Sequence, residues 1–119
     1  MALPVALQLY SVRDELEADF EGTIAKVKEF GYDGVEFAGL YGRSAEQVRK
    51  ILADAGLTPV SAHVPLDDLL GDTQAVVATY KEIGCKYIAV PYLPEDRRPG
   101  TEGFDRTIED IKKIADVCN

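Results

Sequence analysis

The sequence lacks an excess of positive charge: Lys and Arg number 13 against 21 Asp and Glu, for a formal net charge of −8. A binder of phosphate backbones carries the opposite balance, so nucleic acid is a poor partner for this chain. No apolar run is long enough to span a bilayer, and the start, Met1-Ala2-Leu3-Pro4, is not a basic region leading into an apolar one. No membrane partner is expected, and the protein is read as cytoplasmic. Histidine occurs once, at His63, and cysteine twice, at Cys85 and Cys118, with no metal-ligand spacing. Both cysteines stand among apolar residues near helix ends and are expected to be buried reduced thiols.

What is present is ordinary for a globular chain: 46% hydrophobic and 29% charged residues, which argues against disorder. The length of 119 residues fits one domain, 1–119, with a core of moderate size.

An internal repeat organises that domain. TIAKVKEFG (23–31), VRKILADAG (48–56), VVATYKEIG (76–84) and IKKIADVCN (111–119) each read as the end of an amphipathic helix. Gly, or less often Asn, tolerates the left-handed conformation that stops a helix. Short β-type runs precede or follow these helices: Val5 to Tyr10, Asp33 to Phe37, Thr58 to His63 and Lys86 to Pro91. The order is β-α-β-α-β-α-β-α. Ser44 followed by Gln47 predicts a capping box, and Thr101 or Asp105 is expected to cap the last helix. In that helix Phe104, Ile108, Ile111, Ala115 and Cys118 recur at helical spacing and predict the stripe that lies against the sheet. A fully buried Ile111 would cost about 2–5 kcal/mol on truncation to Ala.

Units this short hold one strand and one right-handed crossover helix, so the sheet should be parallel. Two architectures accept the pattern, a doubly wound open sheet and an arc of a (β/α)8 barrel. The arc is favoured, because Tyr10-Ser-Val-Arg-Asp14 stands where a Gly-rich phosphate fingerprint would follow strand 1, and polar side chains collect at strand ends. The predicted fold is α/β, a parallel (βα)4 half of a TIM barrel. A whole barrel takes about 250 residues, and Asn119 falls where a fifth strand would begin. Loops are expected at Ser11 to Asp19, Val64 to Asp72 and Tyr92 to Gly100, all beyond the strand C-terminal ends.

Alternation along strand 2 sets Gly34 and Glu36 on one side and Val35 and Phe37 on the other, so Glu36 points into the barrel near its mouth. His63 closes strand 3 at the same level, and Gln8 and Tyr10 end strand 1. Together these four make a polar cluster able to hold the hydroxyls and carbonyl of a small polar ligand. Each has a plainer reading: a salt-bridging or capping Glu36, a satisfied buried His63, and packing roles for Tyr10, Tyr41 and Tyr92. Arg43 can meet a phosphate or remain a solvated charge, and Asp14 to Asp19 reads as a solvated helix face. One His and one Glu do not assemble a four-ligand metal site.

Leu7-Gln-Leu-Tyr-Ser-Val-Arg-Asp14, Gly31-Tyr-Asp-Gly-Val-Glu-Phe37, Ser61-Ala-His-Val-Pro65 and Gly84-Cys-Lys-Tyr-Ile-Ala-Val-Pro91 together carry a resemblance. The chain resembles the first half of the sugar phosphate isomerase/epimerase family, xylose-isomerase-like TIM barrels that include inosose dehydratases and hydroxypyruvate isomerases. The resemblance implies metal-assisted proton transfer on a small sugar or inositol derivative. It implies a divalent metal, Mn, Mg, Zn or Co, for the whole enzyme, held mostly by strands 5 to 8. What carries over is Glu36, His63, Gln8 and Tyr10 as substrate-site residues. No catalytic residue, metal ligand or bound metal is assigned to this chain alone, which by itself is expected to be inactive.

A second reading is a non-catalytic, self-associating half-barrel. Strands 1 and 4 would be open apolar edges without protecting charges, and a two-fold axis would bring strand 1 of one chain beside strand 4 of another. A homodimer closing eight strands is expected, with Leu7→Lys or Ala89→Lys unfolding it or lowering its solubility.

Overall fold

A computed structural model describes residues 2–119. Strands β1 (Ala6–Gln8), β2 (Gly34–Ala38), β3 (Thr58–His63) and β4 (Tyr87–Ala89) form one sheet, ordered β1-β2-β3-β4, with every pair parallel. Each crossover moves one place in the same direction, as an arc of a barrel requires; a doubly wound sheet reverses. The strand positions agree with the sequence reading except at the ends. Tyr10 does not belong to β1: the chain leaves the sheet after Gln8 into a 3-10 turn, Leu9–Val12, whose Leu9 is fully buried.

Three crossover helices, α2 (Phe20–Glu29), α3 (Ala45–Ala55) and α5 (Thr73–Ile83), connect the strands, and a fourth helix, α6 (Phe104–Cys118), follows β4. Two of the expected loops are largely helical, as α1 (Arg13–Ala18) and α4 (Leu66–Gly71). Each of these short helices is anchored by buried leucine, Leu16 in α1 and Leu66 with Leu69 in α4. Asp19 and Asp72 then cap the following helices, accepting from Gly22 N–H at 3.0 Å and Ala75 N–H at 3.1 Å. In the third expected loop only Glu95–Arg97 is regular, one 3-10 turn.

Local chemistry explains most helix ends. Ser44 and Gln47 form the reciprocal capping box at 3.2 and 2.9 Å, and Gly56 and Gly84 stop α3 and α5 at φ 77° and 106°. The start of α6 departs from expectation, since its N-cap is Gly103 and no side chain caps it. Thr101 Oγ lies instead within hydrogen-bond reach of the carbonyls of Asp96 and Arg98, at 3.0 and 2.7 Å, within the preceding loop.

One apolar cluster lies between sheet and helices. Val35 and Phe37 on β2 and Ala62 on β3 are fully buried there, against Phe20 and Ile24 of α2, Val48 and Leu52 of α3, and Ile83 of α5. Ile88 and Val90 on and after β4 pack against it half-buried.

The rotation of α6 overturns the predicted stripe. The helix buries Thr107 and Ile114, half-buries Phe104 and Asp110, and leaves Ile108 and Ile111 each 37% exposed, with Ala115 and Cys118 outward. The cause is polar. Arg97 binds Asp110 through its guanidinium and donates Nε–H to Thr107 Oγ at 3.0 Å, while Thr107 Oγ lies 3.0 and 3.1 Å from the carbonyls of Arg97 and Gly103. This network draws the Thr107/Asp110 line inward. Ile111→Ala is therefore expected to cost about 1 kcal/mol or less, well below a core truncation. Urea denaturation checks this, and a loss above about 3 kcal/mol would return the Ile111 line to the sheet.

The cysteines also divide. Cys85 is half-buried, and burial pushes its thiol up to about 11, whereas Cys118 is exposed rather than buried. Among the described residues no helix is long and apolar enough to cross a membrane.

Candidate functional site

The site is set by a β-bulge. β2 and β3 pair Val35 with Pro59 and then Glu36 with Ser61, leaving Val60 as the extra residue. Gly34 makes room for it: a Cβ there would lie 2.6 Å from Thr58 O and 3.0 Å from Val60 Cγ2. Without the bulge the register would oppose Glu36 to Val60 and shift Ser61 off the row. With it, Gln8, Glu36, Ser61 and Tyr87 are register partners across all four strands, on the face turned away from the helices.

Glu36 is the hub of that row. Gln8 Nε2 donates to its Oε1, Ser61 Oγ donates to its Oε2, and His63 Nε2 lies 3.2 Å from Oε1. Gln8 Oε1 accepts the Tyr10 backbone N–H at 3.0 Å, so the amide is held at both ends. Three of the four predicted side chains thus converge, and Ser61, which sequence reasoning missed, completes the set. The visible signal for Ser61 was Gly34, since a glycine inside a strand marks a bulge. Tyr10 joins by its backbone; its ring is 56% exposed, with the Arg13 guanidinium 4.2 Å from the ring centre and bonded to the Tyr10 carbonyl at 2.9 Å.

Beyond the strand ends the row opens into a cleft of about 520 Å³. Gln8 and His63 are its polar lining, Tyr10, Pro65, Pro91 and Tyr92 its aromatic and ring-shaped walls, and Asp68 also borders it. Glu36 stands beside this floor with 28% of its side chain exposed, in contact with Gln8 and His63. Tyr10 and the 67%-exposed Tyr92 present faces to this space rather than packing into the core.

A second depression, about 430 Å³, lies on the other side of Tyr10 and is bordered by Arg13, Asp14, Glu17 and Tyr41. The Tyr41 hydroxyl is pushed up, first by burial and then by Glu17. Tyr41 itself adopts φ 55° between Gly39 and Gly42, at φ 90° and 77°. Arg43 serves this loop: its guanidinium stacks 4.4 Å from the Phe20 ring centre and donates to the Tyr41 carbonyl at 3.1 Å, so it is neither a free solvated charge nor part of the cleft lining.

The residues present do not fit a complete metal centre. Among the described residues no group of three or more His, Cys, Asp or Glu side chains gathers, and Glu36 already accepts from Gln8 and Ser61 and pairs with His63. What this arrangement can do is bind and orient. Among the described residues lining the cleft none is Lys or Arg.

No family model matches the sequence, and no curated protein matches it. Solved structures do. A sugar phosphate isomerase/epimerase from Parabacteroides distasonis superposes with a TM-score of 0.76 at 22% identity, over 98% of this chain and 50% of that one. A second sugar phosphate isomerase/epimerase from the same organism gives 0.73 at 16% identity, over 97% of this chain and 47% of that one. The chain spans about half the length of both structures. In fold, the protein is therefore a parallel (βα)4 half of a TIM barrel, built like half of these two isomerase/epimerase structures.

Proposed function

We propose that the protein is the substrate-holding half of an isomerase/epimerase-type barrel that acts on a small, uncharged sugar or inositol derivative. The observation that carries this reading is the Glu36 hub, which holds Gln8 and His63 beneath ring-walled space. Sugars bind by laying C–H faces on aromatic rings while their hydroxyls meet fixed polar groups, and Tyr10 and Tyr92 beside Gln8 and His63 offer both. Moving a proton beside a carbonyl needs a base and a group to stabilise the enediolate. The Gln8 amide can orient the carbonyl or a neighbouring hydroxyl, but the divalent metal implied by the resemblance does not find its ligands in this half. The test is NMR titration with D-fructose, myo-inositol and fructose 6-phosphate. Shifts at Gln8, His63 and Tyr92 in the millimolar range are expected for the neutral compounds, and weaker ones for the phosphate. Shifts confined to the Arg13 side of Tyr10 would overturn the assignment.

A second reading, self-association, is favoured by the open sheet edges and by apolar residues exposed on α6. Ile108 and Ile111, neighbours on one side of that helix, are each 37% exposed, and β1 and β4 each have one strand neighbour. A second copy turned about the barrel axis sets β1 beside β4 twice and covers both edges. Light scattering is expected to give twice the 13.0 kDa chain mass at micromolar concentration. A well-folded species of single mass at high concentration would overturn it.

A further inference from the structure

We propose that Glu36 is a positioning residue that holds His63 in its Nε2–H tautomer, leaving Nδ1 as the acceptor offered to a ligand hydroxyl; this rests on the reading of the cleft as a polyol site. An ionised carboxylate only accepts hydrogen bonds. Each group around Glu36 must then present a hydrogen: the Ser61 hydroxyl to Oε2, and the Gln8 amide and the His63 Nε2 to Oε1. Gln8 cannot exchange its amide ends, because its oxygen already accepts the Tyr10 N–H at 3.0 Å and turning it would set oxygen against the carboxylate. A neutral imidazole carries a single N–H. A lone pair on Nε2 would stand 3.2 Å from the lone pairs of Glu36 Oε1, so the hydrogen belongs on Nε2 and the ring keeps its lone pair on Nδ1.

His63 lines the cleft with 35% of its side chain exposed, and Nε2 rather than Nδ1 is the ring nitrogen beside Glu36. An acceptor there selects by chemistry. A hydroxyl donates to it; an ionised phosphate or carboxylate oxygen, which only accepts, meets a lone pair and the Glu36 charge behind it. The same arrangement orients Gln8, whose amide nitrogen has a second hydrogen for a ligand oxygen. The floor therefore presents one acceptor and one donor side by side, the complement of two neighbouring oxygens of which at least one is a hydroxyl.

Histidine occurs once in the chain, so its ring nitrogens are read without ambiguity. The experiment is two-bond proton–nitrogen correlation on uniformly 15N-labelled protein at alkaline pH, on the neutral ring. The expected spectrum is that of the Nε2–H tautomer, with an Nε2–H proton protected from water exchange; Glu36→Leu loses that protection and averages the two nitrogens. Ser61→Ala, which spares Oε1, keeps the wild-type pattern and stands in if Glu36→Leu does not fold. A wild-type spectrum with Nδ1 protonated, or with averaged nitrogens, overturns the proposal. Titration with myo-inositol, D-fructose and inorganic phosphate separates it from the reading it rests on. Movement of Nδ1 by either neutral compound and not by phosphate supports both. An Nε2–H ring that none of the three moves leaves the tautomer standing and overturns the cleft as a polyol site.

Discussion

Phe37→Ala is expected to destabilise the protein by about 3–5 kcal/mol, the largest effect of any single truncation considered. Phe37 has no exposed surface and sits on β2, which has strands on both sides. Its ring faces the helix layer, so truncation leaves a cavity that the surrounding Phe20, Val48 and Leu52 cannot fill without leaving their own packed positions. Domains of this kind have about 5–15 kcal/mol in total, so about a fifth or more of the stability would go. Phe30, 74% exposed beyond α2, is the internal control, with Phe30→Ala expected within about 0.5 kcal/mol of wild type. Urea denaturation of the two variants side by side measures the difference. Equal, small losses for both would mean that β2 does not bury its Val35/Phe37 face.

The second large effect is expected from Asp110→Ala. Arg97 and Asp110 pair with 15% of each side chain exposed, and Arg97 also donates to the fully buried Thr107. Removing the carboxylate strands the guanidinium in a largely desolvated place, which costs about 3–5 kcal/mol for a buried pair, and the low end applies to this partly wetted one. The double variant Arg97→Met/Asp110→Leu is expected to recover most of the loss, because an apolar pair strands no charge. The consequence extends to function. The Arg97 network ties the segment after β4 to α6, and the cleft walls Pro91 and Tyr92 begin that segment. Amides of residues 92–103 should exchange faster in Asp110→Ala, and sugar binding should weaken although no lining residue has changed. Unaltered exchange there would show that another contact holds the wall.

The two effects mark different degrees of legibility. Phe37 was assigned to the helix-facing side by period-two alternation alone, and its burial followed. Asp110 gave no comparable signal. In α6 the apolar residues Phe104, Ile108, Ile111, Ala115 and Cys118 form the more hydrophobic line, yet the helix turns Thr107 and Ile114 inward. Periodicity reveals that a helix is amphipathic; which neighbouring line meets the sheet depends on what stands opposite, here Arg97 from the preceding loop.

The candidate site divides in the same way. Gln8, Glu36 and His63 were legible from alternation and from their places at strand ends. The Glu36–Ser61 and Gln8–Glu36 contacts join residues 25 and 28 positions apart, and the first exists only because the bulge at Val60 shifts the register. Tyr10 shows the limit at shorter range: a run from Val5 to Tyr10 reads as strand, but the chain turns after Gln8, where Gln8 Oε1 captures the Tyr10 N–H.

By itself the sequence determined the β-α order, the helix ends at Ser44, Gly56 and Gly84, the inward parity of Glu36, and the arc-like parallel sheet. Those features rest on interactions within a turn or two of the chain, or on a period that one strand or helix carries alone. Only the tertiary structure decided the rotation of α6, the pairing of Ser61 with Glu36, the contacts of Glu36 with Gln8 and His63, and the emergence of Tyr10 and Tyr92 as cleft walls. Each of these depends on a hydrogen bond, a bulge or a charge pair between segments that meet only once the sheet has formed.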